Sequence, residues 1–136
     1  MSIPEAEPHV SAVIAKLKAG VPTTLGVALG VGPAANPPYL AIYPDPGDVE
    51  DARLCGDRSK LTIHFMVHAV GAGPEQATWA LDKARAVLLG DPPTVSGRRT
   101  HRMSQTLGAV PVTRDETTQP PLYIALAEFR LVSQAA

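Results

Sequence analysis

The stretch KLTIHFMVHAV, residues Lys60–Val70, constrains the fold more than any other part of the chain. Its strongly apolar side chains recur at every second position, and they are Leu61, Ile63, Phe65, Val67 and Ala69. A period of two is typical of a β-strand that buries one face. The intervening side chains include Thr62, His64 and His68, so the other face is half polar. This pattern predicts a long strand in an antiparallel sheet whose second face is open to solvent.

The next residues, VGAGPEQA, resemble the first half of a nucleotide-binding turn. A dinucleotide fingerprint reads G-x-G-x-x-G, and Gly71 and Gly73 supply two of its glycines, but Gln76 stands at the third. Pro74 removes a backbone N–H, and Glu75 places a negative charge in the first helical turn, where it would repel a phosphate. We therefore predict a tight strand-to-helix turn without a bound nucleotide.

Two helices are predicted from apolar residues at helical spacing. Residues 8–19 carry one stripe, made of Val10, Val13, Ile14 and Leu17. Pro74–Leu89 carries a second stripe, made of Ala77, Leu81, Ala84 and Leu88. Trp79 lies just beside the second stripe, and we expect it to face the sheet with Leu81 and Leu88, with a role as an interface anchor as the alternative.

The remaining elements are short strands separated by prolines and glycines. We predict them at Thr23–Gly32, at Pro37–Pro46 and, at the C-terminal end, at Leu122–Val132, with weaker strand character at Val95–Met103. About residues 104–120 are expected to form an extended or flexible loop. The predicted fold is a single α+β domain over residues 1–136, a mostly antiparallel sheet with two helices packed on one face.

Composition excludes several classes of protein. The chain is 45% hydrophobic, yet it has no apolar run near the ~20 residues that span a bilayer, and its start, MSIPEAEPHV, is unlike a signal peptide. We expect no membrane partner and no export. Cys55 is the single cysteine, so an internal disulfide is impossible.

Charge is segregated along a chain whose net charge is −1. Residues 45–57 carry five acids, namely Asp45, Asp48, Glu50, Asp51 and Asp57. Residues 92–114 carry none, but they include Arg98, Arg99, Arg102 and Arg114. We expect the acidic segment and the basic segment that carries Arg98, Arg99 and Arg102 to lie on opposite sides of the subunit and to meet between neighbouring copies. Two solvated loops, or an arginine hairpin facing DNA, are the alternatives.

Catalytic, cofactor and metal sites are not predicted. His64 and His68 would lie ~13 Å apart on a strand, too far for one zinc ion. Cys55 sits among acids that raise a thiol pKa, and the chain has no G-x-S-x-G motif. The carboxylates near Asp48 are flanked by proline and glycine, as in a solvated loop.

Three strings resemble the tail terminator proteins of long-tailed, non-contractile bacteriophages. They are PPYLAIYP, SKLTIHFMVHAVGAGPEQATWALDKARAVLLG and VPVTRDETTQPPLYIALAEFRLVS. The last is similar to a family string with an Arg-Asp pair, a polar gap, a proline, an aromatic residue and a strand ending near Arg-Leu, here Arg114, Asp115, Pro120, Pro121, Tyr123, Arg130 and Leu131. Within it, Tyr123 and Phe129 are expected to be core residues. The resemblance covers about residues 8–133.

The resemblance implies a structural protein of the virion and not an enzyme. Members form a homohexameric ring on the tail tube, stop its polymerisation and present a surface to the head–tail connector protein, while DNA passes through the lumen without specific binding. Such a protein is assembled in the host cytoplasm and needs no cofactor. The candidate subunit-interface residues are Asp48, Glu50, Asp51, Arg98, Arg99, Arg102, Arg114 and Asp115. A head–tail connector or tail-tube subunit, and more distantly a small cytosolic enzyme, are the other functions that the sequence leaves open.

Overall fold

The computed structural model describes residues 3–30, 36–50, 60–108 and 110–136. They form a single α+β domain with two helices and a mostly antiparallel sheet, as predicted. The elements in chain order are α1 (Ala6–Gly20), β1 (Gly26–Leu29), β2 (Tyr39–Pro44), β3 (Asp48–Glu50), β4 (Lys60–Gly71), α2 (Pro74–Leu88), β5 (Arg98–Thr100), β6 (Ser104–Leu107), β7 (Thr113–Asp115) and β8 (Leu122–Ala135).

Two long antiparallel strands, β4 and β8, form the centre of the sheet. On one side of β4 lie β2 and β3, one after the other, and β1 pairs in parallel with β2. On the far side of β8, three short strands follow its edge in the order β7, β6, β5. Both edges of β4 are therefore paired.

The sheet has one buried face and one partly open face. Phe65 on β4 is opposite Phe129 on β8, and neither ring is exposed to solvent. The same face carries the other alternating apolar residues of β4, and both helices pack into the same core. On the opposite face, here called the outer face, Thr62, His64 and Met66 are only partly buried. The prediction of a half-solvated sheet is confirmed.

Both predicted helices are present, but Trp79 does not face the sheet. Leu81 and Leu88 are buried in the core, whereas Trp79 is 36% exposed and the Nζ atom of Lys83 lies 5.9 Å from its ring centroid. Residues three or four positions apart share a helix face, whereas residues two positions apart do not. Trp79 is two positions before Leu81 and therefore does not lie on the buried face of α2. The expectation that it packs on the sheet is wrong.

The turn from β4 into α2 is filled by the chain itself. A Cβ atom on Gly71 would lie 2.5 Å from the backbone N of Ala77, so only glycine fits there. Gln76, which replaces the third glycine of the fingerprint, accepts a 2.7 Å hydrogen bond from the N–H of Ala72 through Oε1. One of the amides that a phosphate would need is therefore occupied.

The segment expected as a loop, 104–120, contains two short strands. β6 and β7 both pair with β8, with a register irregularity between Gln105 and Leu107. Their sequences, SQTL and TRD, carry no alternation that would predict a strand, because both lie on an edge and bury little. The first strand is shorter than predicted, at Gly26–Leu29.

Candidate subunit interface

The described part of the acidic segment, residues 45–50, includes β3, which lies at one edge of the described sheet. All three residues of β3 are exposed, and Asp48 and Glu50 are opposite Thr62 and Lys60 of β4. Glu50 Oε2 lies 3.3 Å from Lys60 Nζ. Upstream, Asp45 accepts hydrogen bonds from the Gly47 N–H at 2.9 Å and pairs with His64 Nδ1 at 3.2 Å. Asp51 and Asp57 lie outside the described residues.

The basic segment forms the opposite edge. In β5, Arg98 and Arg99 are opposite Ala135 and Gln134 at the end of β8. Arg99 is exposed, and so is Arg102, which follows the strand. Arg98 is half-buried, and its Nε donates a 2.9 Å hydrogen bond to the Ser133 hydroxyl. Burial lowers the pKa of the Arg98 guanidinium, because desolvation disfavours the charged form.

The two edges lie at the same end of the sheet. Leu61 of β4 is opposite both Val49 of β3 and Ser133 of β8, and Ser133 is opposite Thr100 of β5. The strands therefore run side by side in the order β3, β4, β8, β5. Three spacings of ~4.8 Å separate β3 from β5 by roughly 14 Å. At this separation of their backbones, the acidic residues of β3 and the basic residues of β5 do not meet within one subunit.

Arg114 and Asp115 are remote from both of these edges. They belong to β7, opposite Tyr123 and Leu122 at the start of β8, roughly 40 Å along that strand from β5. The Arg114 guanidinium lies 6.0 Å from the Tyr123 ring centroid, and its Nε is 3.5 Å from Glu116. Hydrogen bonds from the hydroxyl and N–H of Thr117 lower the pKa of Asp115. Apart from the Tyr123 ring, the side chains of the pair therefore contact the turn that follows their own strand.

A buried polar cluster, which was not predicted from the sequence, joins α1 to the basic edge. His9 is 1% exposed and Ser133 is fully buried. His9 Nδ1 donates to the Glu5 carbonyl at 2.7 Å, which leaves Nε2 to accept from the Ser133 hydroxyl at 2.7 Å. The sequence does contain a signal for the burial of His9. His9 precedes Val13 and Leu17 at steps of four residues, so it falls on the same face of α1.

The role of this cluster is structural. Burial lowers the pKa of His9, and the charge of Arg98 lowers it further against the opposing effect of the Glu5 carbonyl. The imidazole is therefore held neutral. Ser133 has no exposed surface from which to attack a substrate, and every hydrogen-bonding atom named above has a partner inside the fold.

The outer face carries mixed chemistry. His68 lies against Tyr43, with ring centroids 4.7 Å apart, and burial lowers the pKa of its imidazole. A shallow groove of about 380 Å³ runs beside them and is lined by Tyr43, Pro44, Asp45, His64, Met66 and Glu128. Among the described residues, no group of three or more His, Cys, Asp or Glu side chains could hold a metal ion.

No helix among the described residues combines the length and the apolar character that crossing a bilayer requires.

Comparisons with known proteins give a structural neighbour but no sequence relative. No protein-family model matches the chain. No curated protein matches it either. A chain in a solved structure described as "Virion of native gene transfer agent (GTA) particle" has a similar fold, with a TM-score of 0.64 and 21% sequence identity. The match covers 98% of this chain and 100% of the other.

Proposed function

We propose that this protein is a structural virion component, a tail terminator that forms a ring on the end of the tail tube. The observation that carries the first part of the proposal, a structural role in a virion, is the likeness of fold, over nearly the whole of both chains, to a chain of a gene transfer agent virion. The resemblance of the C-terminal string to tail terminators, which is independent of the fold, favours the terminator among virion proteins.

The arrangement of charge fits a ring of identical subunits. A cyclic ring needs a heterologous contact, in which two different surfaces of the same chain are complementary. The acidic β3 edge and the basic β5 edge are two such surfaces, on opposite sides of one sheet. In this proposal Asp48, Glu50, Asp51, Arg98, Arg99 and Arg102 contribute to the subunit contact, and Arg114 and Asp115 remain available to the tail-tube protein or the head–tail connector protein.

In the ring, DNA would pass through the lumen without specific binding. Each phosphate contact adds affinity and would slow a moving duplex. The near-neutral charge of the chain, −1, is compatible with such a passage. The proposed location is therefore the tail or neck of the virion, with assembly in the host cytoplasm.

A second candidate is another neck or tail protein, either a head–tail connector or a tail-tube subunit. The description of the neighbouring structure names the particle and not the component, so the likeness of fold favours both candidates equally. They differ in what the purified protein does: a tube subunit polymerises, a connector binds the head, and a terminator stops tube growth.

Tail assembly with and without the protein tests the proposal. Tails assembled in its absence should be longer than normal, variable in length and unable to join heads, and added protein should restore a defined length. Electron microscopy of negatively stained samples measures both the tail lengths and the rings that cap them. Normal, defined tails that still join heads in its absence would contradict the terminator function.

A further inference from the structure

We propose that neighbouring subunits of the ring pair edge to edge, β3 of one copy with β5 of the next, so that the sheet continues from subunit to subunit. The proposal rests on the proposed ring. Charge attraction alone would not specify a geometry. The edge pairing specifies which strands meet, their relative direction and the sheet face on which the charged side chains lie.

Strand directions are compatible with this pairing. β3 and β8 both run antiparallel to β4, and β5 runs antiparallel to β8, so β3 and β5 have opposite directions in one subunit. When the strands run roughly along a ring axis, rotation about that axis preserves their direction. β5 of one copy would then meet β3 of its neighbour as an antiparallel pair, and at the same level of the sheet.

The charged side chains also lie on the same face. Asp48 and Glu50 are opposite Thr62 and Lys60 and therefore share the outer face. Arg99 is opposite Gln134, next to the buried Ser133, and so it points to the outer face as well. Directly opposite side chains on paired strands have Cβ atoms ~4.5 to 5.5 Å apart, close enough for an ion pair.

One register pairs both acids with bases. With Arg99 opposite Glu50, Thr100 is opposite Val49 and His101 is opposite Asp48. Glu50 would then lie between Lys60 of its own subunit and Arg99 of the next, which continues the pair already present at 3.3 Å. A shift by one residue would place Arg99 on the opposite face from both carboxylates.

The backbone of β5 has hydrogen-bonding groups directed away from its own sheet. The Ala136 N–H donates to the Gly97 carbonyl, and the His101 N–H donates to the Val132 carbonyl. By the alternation of antiparallel pairs, the N–H and C=O of Arg99 face β8 and those of Thr100 face outward. Among the described residues β5 pairs with no strand other than β8, although the outward N–H of Arg98 already donates to the Val95 carbonyl. At Thr100 the edge is therefore available to another strand.

Cysteine cross-linking tests the pairing directly. In a Cys55→Ser background, Val49→Cys and Thr100→Cys place the two thiols on the same face and opposite each other in the proposed register. Oxidising a mixture of the two single variants should give disulfide-linked heterodimers, whereas either variant alone should give no disulfide-linked dimer. The double variant should give a ladder of linked subunits on a non-reducing gel. Pairing Glu50→Cys with Thr100→Cys is the matched control, because those side chains lie on opposite faces and should not cross-link.

Charge reversal supplies a second test. Arg99→Glu should slow ring formation about tenfold, since complementary charges mainly speed association. Adding Asp48→Lys and Glu50→Lys to the same chain should restore the rate. Arg114→Glu, at the far end of β8, should leave it unchanged.

The outcomes separate this pairing from the proposed function. Rings that cap tails but give no cross-link between positions 49 and 100, and that tolerate Arg99→Glu, would overturn the edge pairing and leave the terminator function intact. Cross-linked rings that have no effect on tail length would overturn the terminator function and leave the pairing intact. Dimers from a single-cysteine variant would overturn the heterologous contact.

Discussion

The imidazole Nε2 of His9, on α1, lies 2.7 Å from the hydroxyl of Ser133, near the end of β8. The residues are 124 positions apart in the sequence, and the contact is buried. Arg98 donates to the same hydroxyl from β5. This cluster fixes the start of α1 to the end of the sheet that carries the proposed subunit contact.

Stability should fall as the pH drops below about 6.5, in part because of His9. Its pKa is lowered in the folded state, so the unfolded chain binds more protons in the window between the folded value and the ordinary value of 6.5. The contribution is complete above that window and is lost as pH falls through it, with a slope of at most about 1.4 kcal/mol per pH unit. Chemical denaturation from pH 7.5 to 5 measures it.

The control for the pH experiment is His9→Gln, an uncharged side chain that retains hydrogen-bonding groups. It should be less stable than the natural chain at pH 7.5, but its stability should change less with pH. His68→Gln should remove a separate part of the slope, since burial lowers the pKa of His68 as well. An identical pH dependence in His9→Gln and the natural chain would show that His9 does not contribute.

Leu81→Ala should destabilise the fold by ~2 to 5 kcal/mol, because Leu81 is buried in the core between α2 and the sheet. Trp79→Ala is the matched control on the same helix. Trp79 is 36% exposed, so its loss should cost less although more atoms are removed. Urea unfolding at neutral pH gives both values, and a larger cost for Trp79→Ala would mean that α2 is rotated about its axis.

Gly71→Ala should destabilise the protein by about 1 to 3 kcal/mol, in the range of overpacked sites. The new Cβ atom would lie 2.5 Å from the Ala77 backbone nitrogen, which cannot move without distorting α2. Gly73→Ala, two residues later, has no heavy atom within 4 Å of the new Cβ and should be nearly neutral. Equal melting temperatures for the two variants would disprove the close approach.

Phe129→Ala should cost ~3 to 5 kcal/mol, since its fully buried ring is opposite Phe65 at the centre of the sheet. Phe129→Leu keeps most of the buried volume and should cost clearly less. Thermal unfolding, followed by circular dichroism, compares the two. Similar losses for both variants would indicate that the ring geometry, and not the filled volume, stabilises this site.

Local periodicity determined the elements that bury a whole face. The alternation in Lys60–Gly71 and the four-residue steps in α2 are direct consequences of how strands and helices present side chains to a core. For that reason β4, α2, the α+β class and the core position of Phe129 could be predicted from the sequence. Tyr123, which was expected in the core as well, is only partly buried and packs against its margin. The broken nucleotide fingerprint was also readable, because Gln76 cannot replace a glycine.

Tertiary structure decided the features that depend on distant partners. β6 and β7 exist because β8 offers them an unpaired edge, and their own residues bury too little to show a pattern. Trp79 was wrongly predicted to face the sheet, because helical periodicity predicts the burial of residues at the centre of an apolar stripe better than that of residues beside it. The position of β3 and β5 on opposite edges, at one level of the sheet, follows from the order of pairing around β4 and β8, which no local spacing encodes. The sequence alone therefore determined which segments bury a face, and the long-range strand pairing decided which charged residues are brought to the same end of the molecule.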